Sequence, residues 1–451
     1  AVIFGREDVR WCGNEAGGTR STEWNVIPYQ ANPDTMSNFA DMTDKDLGSR
    51  EQLYKAKYLH YQQAETNTSI REGWFYRDDT HQKVRSTDDV FDIYERAVGG
   101  NSTFLLNIPP NRDGKFSPAD VAVLKGTGQR IRETYGTDLF RQAEGPKEVL
   151  DQNADTYVTV DKDGPGIVIS TPQPVTLNRL VLQEAIATNG ERVEKHAVDA
   201  WIDGGWKEIA HSTNIGYKRI LRFPDVTTDK IRVRILESRL TPAICTISAH
   251  HYKARPPRLS AQRNMDGLVT IEPMPQEFGW KAHGENIAEN LNAGFKIYYT
   301  TDGTEPSAGS TEYKDPFQMG NNELKAVAIL NGEKGAILQE RFGLVKKEWK
   351  VIGKTAQFLA IDLGSEHILS GFAFTPQKQG DKGTVAGIIR ISNDGKNWKE
   401  MESFEFGNLI NDPSKRYHHF KQMVKARYIQ VEAAEIAART EADALAGIDI
   451  F

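Results

Sequence analysis

The chain has 451 residues, of which 39% are hydrophobic and 26% are charged, and its formal net charge is −6. This balance is typical of globular proteins and excludes a disordered or fibrous chain. Without a surplus of basic residues, binding to nucleic-acid phosphates is not expected, and no apolar run is long enough to cross a bilayer. The two cysteines, Cys12 and Cys245, stand far apart, so the sequence predicts neither a disulfide framework nor a zinc site.

Residues 1–140 alternate strand-like and helix-like segments, which is typical of an α/β layer or barrel. Serine or threonine at position 86 or 87 can cap the first of two predicted helices. The predicted strands and helices lie at residues 1–5, 73–76, 86–98, 102–108 and 118–135. A complete (β/α)8 barrel needs about 250 residues, so this segment supplies roughly half of one. Because a core strand stands at the first residue, we expect that an N-terminal half is missing.

The rest of the chain consists of short alternating segments separated by turn residues, a pattern that predicts antiparallel β structure. We expect three all-β domains, at residues 141–254, 258–345 and 346–451, with a stiff proline-containing linker before the second. In the second domain, Asp302 and Gly303 directly follow a predicted strand, and this dipeptide favours a hairpin turn. The predicted fold is therefore multidomain, with a partial (β/α)8 barrel followed by three all-β domains.

Glu15 is the first candidate for chemistry, because it lies in a glycine-rich loop directly after a predicted strand. Barrel enzymes carry their catalytic carboxylates at the carboxyl ends of strands. The neighbouring Trp11 and Trp24 would raise the pKa of a carboxyl group, as a general acid requires, whereas Arg10 and Arg20 would lower it. The sequence leaves the direction open, and an ordinary loop carboxylate is the alternative.

Five pieces of residues 1–140, in order and with sensible spacing, resemble glycoside hydrolase family 29, and are most similar to its α-1,3/1,4-specific α-L-fucosidases. These pieces are residues 8–17 (DVRWCGNEAG), 21–28 (STEWNVIP), 64–70 (AETNTSI), 73–76 (GWFY) and 105–114 (LLNIPPNRDG). The resemblance implies a retaining exo-α-L-fucosidase that removes α-1,3/1,4-linked fucose from branched, Lewis-type glycans.

The same resemblance implies that Glu15 is the general acid/base of a double displacement. Its partner would be a nucleophilic aspartate, and such carboxyl pairs lie about 5–5.5 Å apart. No residue of this chain matches the family's nucleophilic aspartate. We therefore expect the chain by itself to be inactive, and a catalytically inert carbohydrate-binding or scaffold fragment is the alternative function. A split enzyme, with its other half on a separate polypeptide, is a third possibility.

Three further residues are candidates for substrate binding. Trp74 offers an aromatic wall for the apolar methyl group of fucose, with a place in the barrel core as the alternative. Glu65 can bind sugar hydroxyls, or it is a solvated or ion-paired carboxylate. Arg10 is the third candidate, although an ion pair that shapes the Glu15 loop is the favoured interpretation. Cys12 is expected to be a packing residue, because no histidine stands nearby in the sequence to activate it.

The C-terminal segments carry three further resemblances. Residues 145–253 are similar to the β-sandwich that follows the fucosidase barrel, and residues 258–345 to the small C-terminal domain of chitobiases and β-hexosaminidases. Residues 346–451 resemble galactose-binding-like domains of the coagulation factor five/eight type C kind, through pieces such as residues 361–364 (IDLG) and 392–398 (SNDGKNW). The usual opening stretch of that domain is not found between Trp349 and Phe358. The sequence therefore does not decide whether this domain holds a structural calcium ion, binds sugar or has a purely structural role.

The expected partners are fucosylated oligosaccharides or glycoproteins, with no nucleic acid and no membrane span. No cofactor is expected for the reaction. Enzymes of this architecture that degrade glycans usually work in the periplasm or outside the cell, and that location is expected here.

Overall fold

The computed structural model describes residues 8–32, 42–71, 73–76, 84–161, 164–274, 294–375, 386–406, 415–433 and 440–451. These residues divide into two compact units, one ending at Ala254 and the other beginning at Arg255. Each unit is described separately below. The strand predicted at residues 1–5 reaches outside the described part of the chain. Within the described part, no helix has the length and hydropathy of a membrane span.

The N-terminal unit begins with a parallel three-stranded sheet in the order β1-β4-β5, and the helix α2 connects β4 to β5. A separate two-stranded ribbon pairs β2 with β3. The elements of this region are β1 (Val9–Trp11), β2 (Val26–Tyr29), α1 (Arg50–Lys55), β3 (Tyr58–Tyr61), β4 (Gln63–Ser69), α2 (Thr87–Val98), β5 (Thr103–Asn107) and α3 (Pro118–Tyr135). The alternation of strands and helices agrees with the predicted pattern, and the partial (β/α)8 barrel stays a prediction.

Both predicted helices are confirmed. The hydroxyl group of Ser86 accepts the backbone N–H of Asp89 at 3.1 Å and thereby caps α2. The strand predicted at residues 73–76 is wrong, because these residues form bends and Gly73 has a φ of +108°, outside the extended region. The strand in this part of the chain is β4, and its sequence QAETNTS is polar although six of its seven residues are buried. Because these residues are mostly polar, the pattern of hydrophobic residues does not predict this strand.

The second region of the N-terminal unit is a six-stranded antiparallel sheet in the order β6-β11-β7-β10-β8-β9. Its strands are β6 (Val158–Thr159), β7 (Ile167–Glu184), β8 (Val193–Ile202), β9 (Gly205–Ser212), β10 (Arg219–Ser238) and β11 (Ala243–His250), with a short helix α4 (Ile186–Asn189). The pairing of β7 with β10 shifts register twice, between Arg222 and Val226 and between Thr228 and Lys230. Side chains such as Leu180, Leu182 and Val233 form the buried core of this sheet.

The C-terminal unit contains two groups of strands. The first group is β12 (Leu259–Arg263), β13 (Leu268–Pro273), β14 (Lys296–Thr300), β15 (Thr311–Glu312), β16 (Phe317–Gln318), β17 (Asn322–Leu330), β18 (Glu333–Lys334) and β19 (Leu338–Phe342). The second is β20 (Lys350–Lys354), β21 (Phe358–Phe374), β22 (Ala386–Ser392), β23 (Lys399–Glu405), β24 (Arg416–Ala433), a short helix α5 (Glu441–Ala446) and β25 (Ile448–Ile450). Each group has its own apolar core. The chain does turn back after β14 to pair antiparallel with β15, as predicted at Asp302 and Gly303, but the connection is long because β15 begins only at Thr311.

A charged cluster links the two groups of strands within the C-terminal unit. Lys415 forms ion pairs with Glu340 and Asp449, each at 2.8 Å, and Lys346 pairs with Asp449 at 3.0 Å. Glu340 lies on β19 of the first group, whereas Asp449 lies on β25 of the second. These ion pairs join residues on either side of position 346, and the domain boundary predicted there stays a prediction.

In the N-terminal unit, Glu95 of α2 joins the helical region to the antiparallel sheet. Its carboxylate accepts hydrogen bonds from Arg179 of β7 at 2.6 and 3.1 Å and from the hydroxyl group of Tyr135 at 2.7 Å. Arg179 and Glu95 are buried. A buried carboxylate is stable only when its lone pairs are satisfied, and this geometry satisfies them.

Glu23 makes a second and more central connection. Its carboxylate accepts Arg10 Nη2 at 2.5 Å and Arg20 Nη1 at 2.8 Å, and both Glu23 and Arg10 are fully buried. Its backbone carbonyl accepts the side-chain amides of Asn101, at the start of β5, and Asn214, in the antiparallel sheet region, at 2.8 and 2.6 Å. One residue therefore holds β1, the loop after it, the parallel sheet and the antiparallel sheet in a fixed arrangement.

We expect Glu23→Gln to destabilise the N-terminal unit by roughly 3–5 kcal/mol, because the substitution leaves the buried Arg10 guanidinium without its counter-charge. Equilibrium urea unfolding measures the loss. The matched control is Glu51→Gln, which removes an exposed carboxylate paired with Lys55 on α1 and should change stability little. Equal effects of the two substitutions would contradict the central role of Glu23.

Glu184, at the end of β7, is expected to make stability depend on pH. Burial raises the pKa of Glu184 to about 7, although the backbone N–H groups of Arg192, Val193 and Gly216 donate to its carboxylate. The folded chain then holds this proton more tightly than the unfolded chain, whose pKa is 4.5. The stabilising contribution is therefore full below pH 4.5 and falls by on the order of 3 kcal/mol as the pH rises through 7.

The measurement is the difference in unfolding free energy between wild type and Glu184→Gln across pH 4.5–7.5. The substitution also weakens the three backbone hydrogen bonds, but that loss does not vary with pH. The difference between the two proteins should thus shrink as the pH rises. Two parallel curves would show that Glu184 does not titrate in this range.

Candidate active site at the carboxyl edge of the parallel sheet

The strands β1, β4 and β5 run parallel, so their carboxyl ends meet at one edge of the sheet. Glu15 follows β1 in an exposed loop, and Trp74 follows β4 in the bent segment 73–76. The structure brings these two predicted residues together: the indole Nε1–H of Trp74 donates a hydrogen bond to Glu15 Oε2 at 3.0 Å. The carboxylate of Glu15 is thus fixed by a side chain from a neighbouring strand end.

The loop that carries Glu15 is held by its own side chains. Asn14 Oδ1 accepts the backbone N–H groups of Ala16 at 3.0 Å and Gly18 at 3.4 Å, and Asn14 Nδ2 donates to the carbonyl of Gly18 at 3.0 Å. Gly13 has a φ of +98°, and a Cβ atom there would collide with the carbonyl oxygen of Met42. Only glycine fits this position, so the loop turns sharply and projects Glu15 outward.

Cys12 lies beneath this loop and has a packing role. Its sulfur lies 3.4 Å from the carbonyl oxygen of Asn14 and 3.5 Å from that of Gly18. The thiol is buried, and burial raises its pKa, so the nucleophilic thiolate is disfavoured. Neither cysteine of the chain is in a disulfide.

Glu65 lies on β4, directly beside Trp11 of β1 in the pairing of the two strands. It is 7% exposed, and burial raises the pKa of its carboxyl group, while a hydrogen bond from Asn67 Nδ2 at 3.3 Å opposes the shift. Asn67 stands two residues further along β4 and therefore on the same face of the sheet. Among the described residues, the buried Oδ1 atom of Asn67 has no hydrogen-bond partner. Asn67 thus has an acceptor to spare beside Glu65.

Arg10 does not reach the surface. Its guanidinium is fully buried, and besides Glu23 it donates to the carbonyl oxygen of Trp24 at 2.7 Å. This arrangement favours the ion-pair interpretation of Arg10 over a direct contact with substrate. Arg20 supports the same loop by donating to the carbonyl of Cys12 at 3.1 Å.

Two functional features were missing from the sequence interpretation. Asn107, the last residue of β5, donates through Nδ2 to the backbone carbonyl of Trp74 at 2.9 Å and to Ser69 Oγ at 3.1 Å. Asn14 shapes the Glu15 loop as described above. An asparagine directly beside a candidate catalytic residue can be recognised from the sequence as a loop-shaping residue, because its side chain forms hydrogen bonds with nearby backbone groups. Asn107 carried no such signal, since its partner Trp74 lies 33 residues away.

The arrangement suits proton transfer by an exposed carboxylate held by a hydrogen-bond donor. Within the described residues, no group of three or more histidine, cysteine, aspartate or glutamate side chains is placed to hold a metal ion. The exposed carboxyl group of the site is that of Glu15, with the indole of Trp74 bonded to it.

Comparisons with known proteins connect two parts of the chain to families. The family model described as Alpha-L-fucosidase matches residues 18–135, which include Glu65 and Trp74 and begin just after Glu15. The model described as F5/8 type C domain matches residues 310–442, a range that begins before the predicted boundary at residue 346. The likeness of residues 258–345 to chitobiase domains stays a prediction.

Among curated proteins, Alpha-L-fucosidase 1 of Arabidopsis thaliana is 29% identical over 269 residues, which are 54% of this chain and 50% of the plant protein. The chain spans about half the length of the curated relatives that it matches.

Solved structures are also similar. A glycoside hydrolase 29 family member from an unknown rumen bacterium is 22% identical, with a TM-score of 0.46, over 100% of this chain and 64% of that one. A Ruminococcus gnavus GH29 fucosidase in complex with fucose is 24% identical, with a TM-score of 0.47, over 56% and 53% of the two chains. Since these TM-scores are below 0.5, the likeness to known families depends on the sequence matches. By those matches, residues 18–135 are similar to the alpha-L-fucosidase family, and residues 310–442 are similar to F5/8 type C domains.

Proposed function

We propose that the chain supplies the acid/base part of a retaining exo-α-L-fucosidase that removes α-1,3/1,4-linked fucose from branched, Lewis-type glycans. The observation that carries this proposal is the hydrogen bond of 3.0 Å from Trp74 Nε1 to Glu15 Oε2 at the carboxyl edge of three parallel strands. The family match of residues 18–135 supports hydrolysis of fucosides in general. The linkage preference comes from the resemblance of residues 8–28 and their neighbours.

In the proposed mechanism, Glu15 first protonates the leaving glycosidic oxygen while a carboxylate attacks the anomeric carbon. Glu15 then removes a proton from water, which hydrolyses the covalent intermediate. The indole N–H of Trp74 orients the Glu15 carboxyl group for both steps, and we assign binding of sugar hydroxyls to Glu65. No residue of the chain resembles the family's nucleophilic aspartate, so we propose that another stretch of polypeptide supplies it and completes a (β/α)8 barrel.

The proposed substrates are fucosylated oligosaccharides or glycoproteins, and the proposed place of action is the periplasm or the outside of the cell. No cofactor takes part in the proposed reaction, because both steps use only carboxyl groups and water. A structural calcium ion in the C-terminal domain is a separate possibility, which calcium-dependent thermal unfolding would test.

The 451-residue chain alone is expected to show no turnover of aryl α-L-fucosides or Lewis-type oligosaccharides, because a retaining mechanism needs two carboxyl groups. Co-expression with a polypeptide that carries the family's nucleophilic aspartate should restore activity if the two associate. Turnover by the chain alone that disappears in Glu15→Gln would show that the nucleophile lies within these residues.

In the completed enzyme, Glu15→Gln is expected to lower kcat/KM by roughly 10²–10⁴-fold on oligosaccharides, the usual contribution of a general acid/base. The loss should be smaller on aryl fucosides with a good leaving group, because such a group departs without protonation. Added azide should partly restore turnover by attacking the intermediate without base assistance. The exposed Glu51→Gln is the matched control and should retain full activity. An equal loss on both substrate classes would argue against acid catalysis by Glu15.

The second candidate function is a carbohydrate-binding or scaffold fragment without catalysis, and the F5/8 type C match at residues 310–442 favours it. The two functions differ in one measurement. A binding fragment retains glycan affinity when Glu15 is replaced and gains no turnover from any upstream polypeptide.

A further inference from the structure

We propose that Asn107 is a positioning residue for the Glu15 carboxylate, acting through Trp74. The proposal takes from the proposed function only the catalytic meaning of Glu15; the contacts themselves do not depend on it. The side-chain amide of Asn107 donates to Ser69 and Trp74. Asn107 acts through Trp74, because it binds the Trp74 backbone and the Trp74 side chain binds Glu15.

Asn107 uses its side-chain amide to join the ends of two strands and the segment that follows one of them. Nδ2 donates to Ser69 Oγ, at the end of β4, at 3.1 Å, and to the carbonyl oxygen of Trp74 at 2.9 Å. Asn107 and Ser69 are also directly opposite each other in the parallel pairing of β5 with β4. The amide is therefore anchored to the rigid sheet on one side and to the Trp74 peptide group on the other.

The Trp74 segment needs such an anchor. Residues 73–75 form bends, outside any helix or strand, and Gly73 with its φ of +108° gives the chain a flexible point directly before Trp74. A hydrogen bond to the Trp74 carbonyl fixes the peptide group, and the fixed backbone then sets the direction of the indole ring. That direction brings Nε1–H to within 3.0 Å of Glu15 Oε2.

The result is a connected path from the end of β5 to the loop after β1. Asn107 holds the Trp74 backbone, and the Trp74 side chain holds Glu15. Asn14 fixes the same loop from its other side through the backbone N–H groups of Ala16 and Gly18. Because Glu15 is exposed, few other contacts would hold its carboxyl group in one direction.

The test uses the indole N–H of Trp74 as a spectroscopic probe in the full chain. The chain contains eight tryptophans, so selective ¹⁵N labelling of the indole groups gives a small set of side-chain cross-peaks, and Trp74→Phe identifies the one from Trp74. In the otherwise wild-type chain, Glu15→Gln should shift this cross-peak, because the Trp74 indole N–H then donates to an amide oxygen in place of a carboxylate.

Asn107→Ala and Asn107→Leu remove the amide donor, the second with nearly unchanged volume. In both variants, Glu15→Gln is expected to shift the Trp74 cross-peak no longer, while the other indole cross-peaks stay in place. The control is Asn111→Ser in the same loop, since serine can still accept the backbone N–H groups that Asn111 Oδ1 accepts from Asp113 and Lys115. This control should keep the wild-type shift.

The proposal is overturned if both Asn107 variants keep the wild-type response of the Trp74 cross-peak to Glu15→Gln. It is also overturned if Glu15→Gln leaves the Trp74 cross-peak of the otherwise wild-type chain unchanged. If Asn107→Ala displaces the other indole cross-peaks and so disrupts the fold, Asn107→Leu decides the outcome. The readout needs no turnover, so it separates this proposal from the fucosidase proposal. A chain that never gains activity can still show the coupling, and an active enzyme can lack it.

Discussion

The arrangement of the N-terminal unit depends on one buried carboxylate, that of Glu23. Two arginines donate to its side chain, and two asparagines from separate sheets donate to its backbone carbonyl. A charge buried in this way is unfavourable unless every partner is present, so the local structure is closely specified. The candidate active site depends on these contacts of Glu23, because Arg10 precedes the Glu15 loop and Arg20 follows it.

Buried polar contacts also join the parallel sheet to the antiparallel sheet. Glu95 with Arg179 and Glu191 with Asn101 are buried polar contacts, where apolar packing would be the more common solution. Polar contacts have fixed directions, whereas apolar contacts tolerate sliding. Directional contacts at this boundary fix the orientation of the neighbouring Glu15 loop, as the acid/base role proposed for Glu15 requires.

The sequence allowed prediction of features that depend on neighbouring residues. The helices α2 and α3 and the cap at Ser86 follow from local spacing and turn chemistry. The strand β4 could not be found in this way, because its buried residues are polar and find their partners in other strands. Asp302 and Gly303 have hairpin character, but the surrounding chain forms a longer loop before β15.

In the candidate site, too, the contacts between distant residues could not be predicted from the sequence. Glu15 and Trp74 came from family resemblance, and their hydrogen bond required the structure. The contacts of Glu23 and Asn107 join residues far apart in the chain, and only the topology of the sheet decides which donor meets which acceptor. No local pattern contains that information.

Cys12, packed under the Glu15 loop, has a consequence for measurement. Its thiol is shielded by the loop and has a raised pKa, so a thiol-modifying reagent reacts with it only when the loop lifts away. Cys245 is equally buried, but it lies on β11 of the antiparallel sheet and becomes accessible only when that sheet opens. The two thiols therefore report on different openings, and the ratio of their modification rates compares opening of the Glu15 loop with opening of the antiparallel sheet.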